Sequence, residues 1–274
     1  MKKTFFIISL CLAAGIVALL VLAGTYMHLY HLAYAPLSKP PEHGTTFVVE
    51  ADFSQMPGDT NMASLEKVLE NRFFHSGIQA FMEPLSASQL RVSLPVMTTD
   101  EVESARAAIA HRGLLEFRLV DDDSDEIIRN NDPIPPGYEV MQSLEMDPGQ
   151  TAPEHLVVKE KAEDGLAGDF IKNAQVVSGS LGEPQINFQM TDDGTTRFAH
   201  LTTEYAPNSQ TGQRHRIAII LDGELYSAPL IDEPIVNGEC QVTGHFTDEG
   251  AGQLAQMLNY PLPAALQIVE TNSY

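Results

Sequence analysis

Residues 216–266 read RIAIILDGELYSAPLIDEPIVNGECQVTGHFTDEGAGQLAQMLNYPLPAAL, and this stretch has the clearest succession of secondary-structure signals in the chain. Its opening run, residues 216–221, is an unbroken apolar strand candidate. Asp222 and Gly223 follow as a tight turn, because glycine accepts the positive φ that a type I′ turn requires. Thr247 then caps a predicted helix over residues 247–258. The stretch therefore predicts a strand, a turn, a second strand and a helix.

Upstream of this stretch, residues 45–120 follow the order strand, helix, strand, strand, helix, strand. The first predicted helix, residues 61–75, places its large apolar side chains on one face. A capping box between Thr98 and Glu101 opens the second helix, and residues 114–120 are predicted as the last strand. This order predicts an α+β unit of the ferredoxin-like split βαβ type, with helices on one face of an antiparallel sheet.

A second α+β region is predicted over residues 169–260. Strands are expected near residues 174–178 and 185–190, and a helix is expected over residues 193–204. Between the two regions, residues 121–168 are acidic and rich in proline and glycine, which is typical of a connection with several turns.

The N-terminus carries an apolar segment over residues 5–23 without a charged side chain. About twenty such residues cross the hydrocarbon core of a bilayer, whereas the apolar region of a cleaved signal peptide is about 7 to 15 residues long. We therefore expect residues 1–27 to be an uncleaved, single-pass transmembrane anchor, with a cleaved signal peptide as the alternative. Lys2 and Lys3 predict a cytoplasmic N-terminus, and residues 28–44 form a proline-containing linker.

Charge and cysteine content exclude two classes of protein. The net charge is -21, and such an acidic surface repels phosphate backbones, so no nucleic-acid partner is expected. Cys11 lies in the apolar N-terminal run and Cys240 in a predicted strand. We therefore expect no disulfide between them.

No catalytic, cofactor-binding or metal-binding residues are predicted. Asp121, Asp123 and Asp125 share the spacing of a calcium loop, but Glu126 stands where that loop needs glycine, so a solvated acidic connection is the plainer interpretation. No nucleophile with a partner base and no glycine-rich phosphate loop is present. We therefore predict that the protein is not an enzyme and needs no cofactor.

Four short motifs in residues 216–266 occur in the order found in one family. They resemble the periplasmic region of SecD, a membrane subunit of the bacterial Sec protein translocase. The family-motif positions, each of which also has a folding explanation, are Leu221, Asp222, Gly223, Ser227, Ala228, Pro229, Gly244, Phe246, Thr247, Leu262, Pro263 and Leu266.

The resemblance implies a domain arrangement. In that family a head subdomain is inserted into a ferredoxin-like base, and the chain returns to the base after the head. Carried over, the resemblance implies a base over residues 45–120, a connection over 121–168, a head over 169–260 and a return over 261–274. Residues 259–263 depart from the small Gly-Ala step that the family has before Leu-Pro.

The resemblance also implies a function. We expect a module in the bacterial inner membrane with its main domain in the periplasm, which assists Sec-dependent export by binding translocating, unfolded polypeptide. Its expected partners are the Sec translocon or separate SecD/SecF-like membrane subunits. Full members continue into further transmembrane helices that carry a proton pathway, so we expect no motor in this chain. The alternative is a scaffolding protein of the cell envelope that kept the fold but not the export role.

Overall fold

The computed structural model describes residues 23, 25, 27–30, 33–53, 60–144, 153–168, 170–180, 182–207, 212–242 and 246–274. The helices are α1 (Met62–His75), α2 (Thr99–Ala110), α3 (Ser124–Asn130), α4 (Asp192–Glu204) and α5 (Asp248–Asn259). The strands are β1 (Gly44–Ala51), β2 (Phe81–Pro84), β3 (Gln89–Pro95), β4 (Leu115–Leu119), β5 (Tyr138–Gln142), β6 (His155–Lys159), β7 (Ile171–Ser178), β8 (Pro184–Met190), β9 (Ile217–Leu221), β10 (Glu224–Ser227), β11 (Glu239–Val242) and β12 (Leu266–Ser273).

One sheet contains both the first and the last strand of the described chain. Its strand order is β12-β1-β3-β2, and all neighbouring strands are antiparallel. Helices α1 and α2 cover one face, where Phe47, Val49, Leu90 and Val92 are fully buried. We call this sheet with its two helices the four-stranded unit. All other elements, from β4 to α5, are inserted between α2 and β12, and we call them the inserted unit.

The two helices of the four-stranded unit form where the sequence predicts them. Asn61 and Ser64 make a capping box at the start of α1, and Thr98 and Glu101 make the predicted one at the start of α2. The predicted inward residues of α1 are all buried. Gly77, with φ 68°, follows the end of α1 in the left-handed conformation that glycine accepts most readily. These helices are therefore fixed by local capping and by an apolar face.

The fourth strand of this sheet is not the one predicted. The prediction assigned residues 114–120 to it, but β4 pairs with β9 in the inserted unit. The position next to β1 is taken by β12 instead. The predicted strand forms as β4, but its assignment to this sheet is wrong, because non-local pairing decides which sheet a strand joins.

Strand β9 is buried on both faces. Ile217 and Ile219 point into the main core of the inserted unit, whereas Ala218 and Ile220 pack against a second cluster with Leu156. Strands covered on both faces read as continuous apolar runs rather than alternating ones. This double burial is the physical reason for the unbroken run in residues 216–221.

Phe117 of β4 lies at the centre of the main core. Its ring centroid is 4.8 Å from that of Phe198, 5.4 Å from that of Phe170 and 6.5 Å from that of Phe188. Its partners come from α4, from the segment before β7 and from β8, so this ring joins the sheet β10-β9-β4 to the sheet β11-β8-β7. Both sheets and the helices α4 and α5 therefore share one core.

The acidic connection contains more regular structure than predicted. Residues 124–130 form α3, and β5 pairs with the predicted strand β6 as a two-stranded antiparallel sheet. The Ser124 hydroxyl is buried and accepts a hydrogen bond from the Val157 N–H at 2.8 Å. This bond and the one from the Asp121 N–H to the Val157 carbonyl at 2.8 Å attach the start of α3 to β6.

Residues near the N-terminus dock on the four-stranded unit. The Tyr30 hydroxyl donates to the carbonyl of Phe74 at 3.3 Å, and the Leu37 N–H donates to the carbonyl of Ala80 at 2.9 Å. Most of the predicted anchor, residues 1–27, lies outside the described residues. In the described part of the chain, no helix has the length and apolar character needed to cross a bilayer.

Candidate functional site

The first candidate region is the junction where the chain crosses twice between the two units. The outgoing segment follows α2, and the returning segment follows α5. They are joined by a hydrogen bond from the Leu262 N–H to the Arg112 carbonyl at 2.8 Å. The Arg112 guanidinium donates to the carbonyls of Leu262 and Pro263 at 3.1 and 3.2 Å. The two crossings therefore behave as one paired segment.

Arg72 of α1 holds both crossings, although its side chain is only 1 % exposed. It donates to the carbonyls of Ala108 and His111 at 2.6 Å, of Arg112 at 2.8 Å and of Tyr260 at 2.7 Å. The planar guanidinium suits such a cluster because its donors have fixed directions. Burial lowers the pKa of Arg72 to about 10, so the group stays charged at neutral pH. No local pattern in the sequence predicts this role for Arg72.

The turn at Asp222 and Gly223 reaches the same junction. Both residues have positive φ, 51° and 85°, as the predicted type I′ turn requires. The Asp222 carboxylate accepts hydrogen bonds from the N–H groups of Gly113 and Leu114 at 3.1 and 2.8 Å. The Leu114 carbonyl accepts from the Asp222 N–H at 2.9 Å. The motif aspartate therefore attaches the outgoing crossing to the β9–β10 hairpin.

The other family-motif positions are spread over both units. Ala228 and Pro229 follow β10, where their carbonyls accept from the Arg216 Nε and the Ile217 N–H at 2.8 and 3.0 Å. The Phe246 ring stacks on Tyr226 with centroids 5.6 Å apart. The remaining described positions are Leu221 against the inserted core, Ser227 at the end of β10, Thr247 as the N-cap of α5, Leu262 and Leu266 in the core of the four-stranded unit, and Pro263 beside Arg112.

Gly244 lies outside the described residues. The positions that are described do not converge on one cavity. They occupy the junction, the start of α5 and the two cores. That distribution is the one expected of residues that shape a fold, and the structural role assigned to them stays a prediction.

Arg216 and Glu154 form a bidentate ion pair beside these motif residues. Both guanidinium nitrogens lie 2.8 Å from the two carboxylate oxygens. The hydrogen bonds from Arg216 hold the pKa of Glu154 below its ordinary value, against the opposing effect of partial burial. Bidentate pairs of this kind combine charge with a fixed geometry.

The Arg216–Glu154 pair is expected to stabilise the fold at pH values above the titration range of Glu154. The pKa of Glu154 is depressed in the folded state, so its contribution is present above about pH 4.5 and is lost as the pH falls through the folded value. Replacing Glu154 by glutamine should lower the free energy of unfolding by about 1 kcal/mol at pH 6 and by less at pH 3. Urea unfolding at both pH values measures this. Glu83→Gln, which breaks an exposed pair with Arg91, is the matched control, and an equal effect in both variants contradicts the prediction.

The second candidate region is one face of the sheet β11-β8-β7. Alternation along β8 buries Ile186, Phe188 and Met190 on the inner face and turns the residues between them outward. Six side-chain amides share the outer face, which we call the carboxamide face: Asn173, Gln175, Gln185, Asn187, Gln189 and Gln241. All of them except Gln185 line an open depression of about 340 Å³, with Glu239 at its side.

Hydrogen bonding across the carboxamide face is incomplete. The Gln241 amide donates to Gln185 at 2.6 Å, and the Gln185 amide donates to Glu183 at 2.8 Å. The buried Oδ1 of Asn187 has no partner among the described residues. Beneath the face, burial raises the pKa of the Cys240 thiol to about 12, which keeps it protonated and unreactive. The amides of this face therefore offer neutral hydrogen bonding, with the carboxylates of Glu183 and Glu239 beside them.

Sequence reasoning missed both the junction arginine and the carboxamide face. Nothing in the local sequence distinguishes Arg72 from an exposed helix arginine, because its carbonyl acceptors are far away in the chain. The alternation in residues 185–190, amide then apolar, was a usable signal for a polar sheet face. Its partners on β7 and β11 required the tertiary structure.

Comparison with known proteins places these features in a family. The model of the family described as "SecDF, P1 head subdomain" matches residues 139–264. Protein translocase subunit SecD of Calditerrivibrio nitroreducens is 30 % identical over 215 residues, which cover 76 % of this chain and 39 % of the relative. Protein translocase subunit SecD of Treponema pallidum is 28 % identical over 261 residues, covering 82 % and 42 %.

A solved structure agrees with the sequence matches. The crystal structure of SecDF in its super-membrane-facing form has a TM-score of 0.60 and 25 % identity to this chain, covering 84 % of this chain and 30 % of that one. This chain therefore spans less than half the length of each of these three proteins. The ordered motifs, the fold and the matches together show that the chain belongs to the SecD family of protein translocase subunits, within that family's P1 domain.

Proposed function

We propose that this chain assists protein translocation by binding extended polypeptide on the carboxamide face. The relatives that match it are protein translocase subunits, and the matched head region contains β7, β8 and β11. A translocating chain is unfolded and varied in sequence. A site that serves many such chains needs contacts to the groups they share, which are the peptide amides.

The observation that carries this proposal is the chemistry of the carboxamide face. Each primary amide offers both donors and an acceptor, so it matches a peptide group without selecting a side chain. The open depression leaves room for an extended segment, and neutral amides hold it without the desolvation cost of buried charges. The unpartnered Asn187 Oδ1 is an acceptor suited to a bound N–H group.

We further propose that the four-stranded unit is a ferredoxin-like base and that the inserted unit contains the head. The strand order β12-β1-β3-β2 with two helices on one face supports this proposal. In this division the head lies within residues 169–260 and residues 261–274 return to the base. The pairing of β4 with β9 extends the inserted part to begin after α2.

The proposed location is the bacterial inner membrane, with residues 1–27 as anchor, the N-terminus in the cytoplasm and the main domain in the periplasm. The docking of Tyr30 and Leu37 supports a base held close to that anchor. The proposed partners are the Sec translocon or SecD/SecF-like membrane subunits, with the translocating polypeptide as substrate. In the competing proposal, a scaffold, the same fold contacts one resident envelope protein.

Site-specific photo-crosslinking in cells tests the proposed function. A photoreactive amino acid at Gln175 on the carboxamide face should trap secreted proteins during their export. The matched control position is Lys67 on α1, whose side chain is 71 % exposed but belongs to the other unit, and it should trap none. If position 175 traps only one resident envelope protein, the scaffold proposal replaces the export proposal.

A further inference from the structure

The C-terminal residue of α5, Asn259, makes two hydrogen bonds to the backbone of β7. Its Oδ1 accepts from the Ala174 N–H at 2.7 Å, and its Nδ2 donates to the Ala174 carbonyl at 2.7 Å. A residue of a neighbouring antiparallel strand exchanges the same pair of bonds with its opposite residue. The Asn259 side chain therefore occupies the place of one peptide unit beside β7.

Strand β7 is an edge of its sheet, whose order is β11-β8-β7. Because Ala174 turns its N–H and carbonyl away from β8, strand alternation turns those of Val176 to the same outer edge. The Val176 side chain is 41 % exposed, and Gln175 beside it is exposed as well. Among the described residues, no backbone hydrogen bond from outside the sheet reaches Val176. At Val176 the edge therefore has no described strand beside it, while α5 packs against β7.

We propose that an extended polypeptide segment adds to the outer edge of β7 as a new strand and takes the place of the Asn259 amide at Ala174. This inference deepens the proposed function and rests on it, because it names the backbone of the bound chain as the recognised group. Strand addition at a sheet edge obtains affinity from main-chain hydrogen bonds, so it suits substrates of varied sequence.

The Asn259 carboxamide already bound at Ala174 indicates what kind of segment this edge can bind. The Asn259 carboxamide has the donor and acceptor of a peptide unit and satisfies both positions of Ala174, which shows that this edge accepts a peptide-like amide. Natural edges are more often guarded by charged side chains or proline. Turning the Asn259 side chain away would exchange one pair of amide hydrogen bonds at Ala174 for another, so the number of hydrogen bonds at this residue stays the same.

A binding experiment with paired peptides tests the inference. The probe is a fluorescent ten-residue peptide of alternating threonine and valine between terminal lysines, titrated against the full chain in detergent. Its control has the same sequence and charge but carries a methyl group on the backbone nitrogen of every threonine and valine, which removes the donors of both edges of the peptide. The unmethylated peptide should bind, and the methylated peptide should not.

Three variants test whether the peptide binds at the β7 edge. Asn259→Ala should tighten binding of the unmethylated peptide about threefold to tenfold, because the competing amide is gone. Val176→Pro should weaken it at least about fivefold by removing one edge N–H, whereas Val176→Thr, which keeps that N–H, should bind as the unchanged chain does. Val176 does not use its N–H toward β8, so the proline variant is expected to fold, and far-UV circular dichroism checks this.

The outcomes separate this inference from the proposed function. If the methylated peptide binds as well as its partner and Asn259→Ala changes nothing, strand addition is overturned and Asn259 only protects the edge, while binding on the carboxamide face stands. If neither peptide binds the unchanged chain or Asn259→Ala, strand addition is overturned together with polypeptide binding. Tighter binding by Asn259→Ala that the proline variant abolishes supports strand addition.

Discussion

Replacing Arg72 by methionine is expected to lower the free energy of unfolding by about 3 to 5 kcal/mol. Methionine keeps a long, flexible apolar side chain at this position but provides no donor. The carbonyls of Ala108, His111 and Tyr260 lose the hydrogen bonds from Arg72, and the Arg112 carbonyl keeps only the one from the Leu262 N–H. They surround a side chain that is 1 % exposed, so water cannot fully replace the guanidinium. Because these carbonyls belong to both crossings, the loss affects the attachment of the two units.

Urea unfolding of the full chain measures this effect as a fall in the midpoint. The unfolding midpoint of Arg72→Lys should lie between those of the unchanged chain and Arg72→Met. An ammonium keeps the charge but cannot reach all of the carbonyls at once. The matched control is Arg91→Met, which removes an exposed arginine paired with Glu83 and should cost less than about 1 kcal/mol. Equal losses in the Arg72 and Arg91 methionine variants would show that the buried guanidinium does not hold the junction.

Replacing Gly113 by alanine is expected to cost about 2 to 5 kcal/mol. Gly113 has φ 78°, and an added Cβ would lie 2.5 Å from the carbonyl oxygen of Met257 in α5. Two separate costs combine here, the left-handed conformation and the overlap with a backbone atom. Relief of that overlap requires α5 to move away from the outgoing crossing, and Met257 is itself buried in that helix.

Gly223 is the matched control for this substitution because alanine there has only the cost of the left-handed conformation. It has φ 85°, and an added Cβ would meet no atom within 4 Å. Gly223→Ala should therefore cost only about 1 to 2 kcal/mol, the price of a left-handed alanine. Thermal unfolding of both variants gives the comparison. If Gly113→Ala loses no more stability than Gly223→Ala, the contact with the Met257 carbonyl is relieved at no measurable cost, and the prediction is wrong.

Much of the local structure was predictable because it depends on short-range physics. The Asp222–Gly223 turn needs positive φ at two adjacent residues, and the cap at Thr247 satisfies N–H groups that every helix leaves open. The continuous run of residues 216–221 became a strand buried on both faces. Each of these features is decided by a few neighbouring residues, so the sequence contains the whole signal.

The assignment of β4 was wrong for a non-local reason. Residues 114–120 and residues 266–273 both form strands, and either could complete a four-stranded sheet in a pattern of alternating elements. The choice depends on the Phe117 cluster, on the pairing of β4 with β9, and on the way Arg72 and Asp222 hold the segment that precedes β4. The sequence shows no trace of these contacts, because their partners are distant in the chain.

The sequence by itself determined the local elements, their caps and turns, and the ordered motifs that resemble SecD. The tertiary structure alone decided which strands share a sheet, that Arg72 collects the carbonyls of both crossings, and that the Asn259 amide lies on the edge of β7. The reason is physical. Backbone sterics and hydrogen-bond periodicity act over a few residues, whereas burial and pairing between distant segments depend on how the whole chain packs.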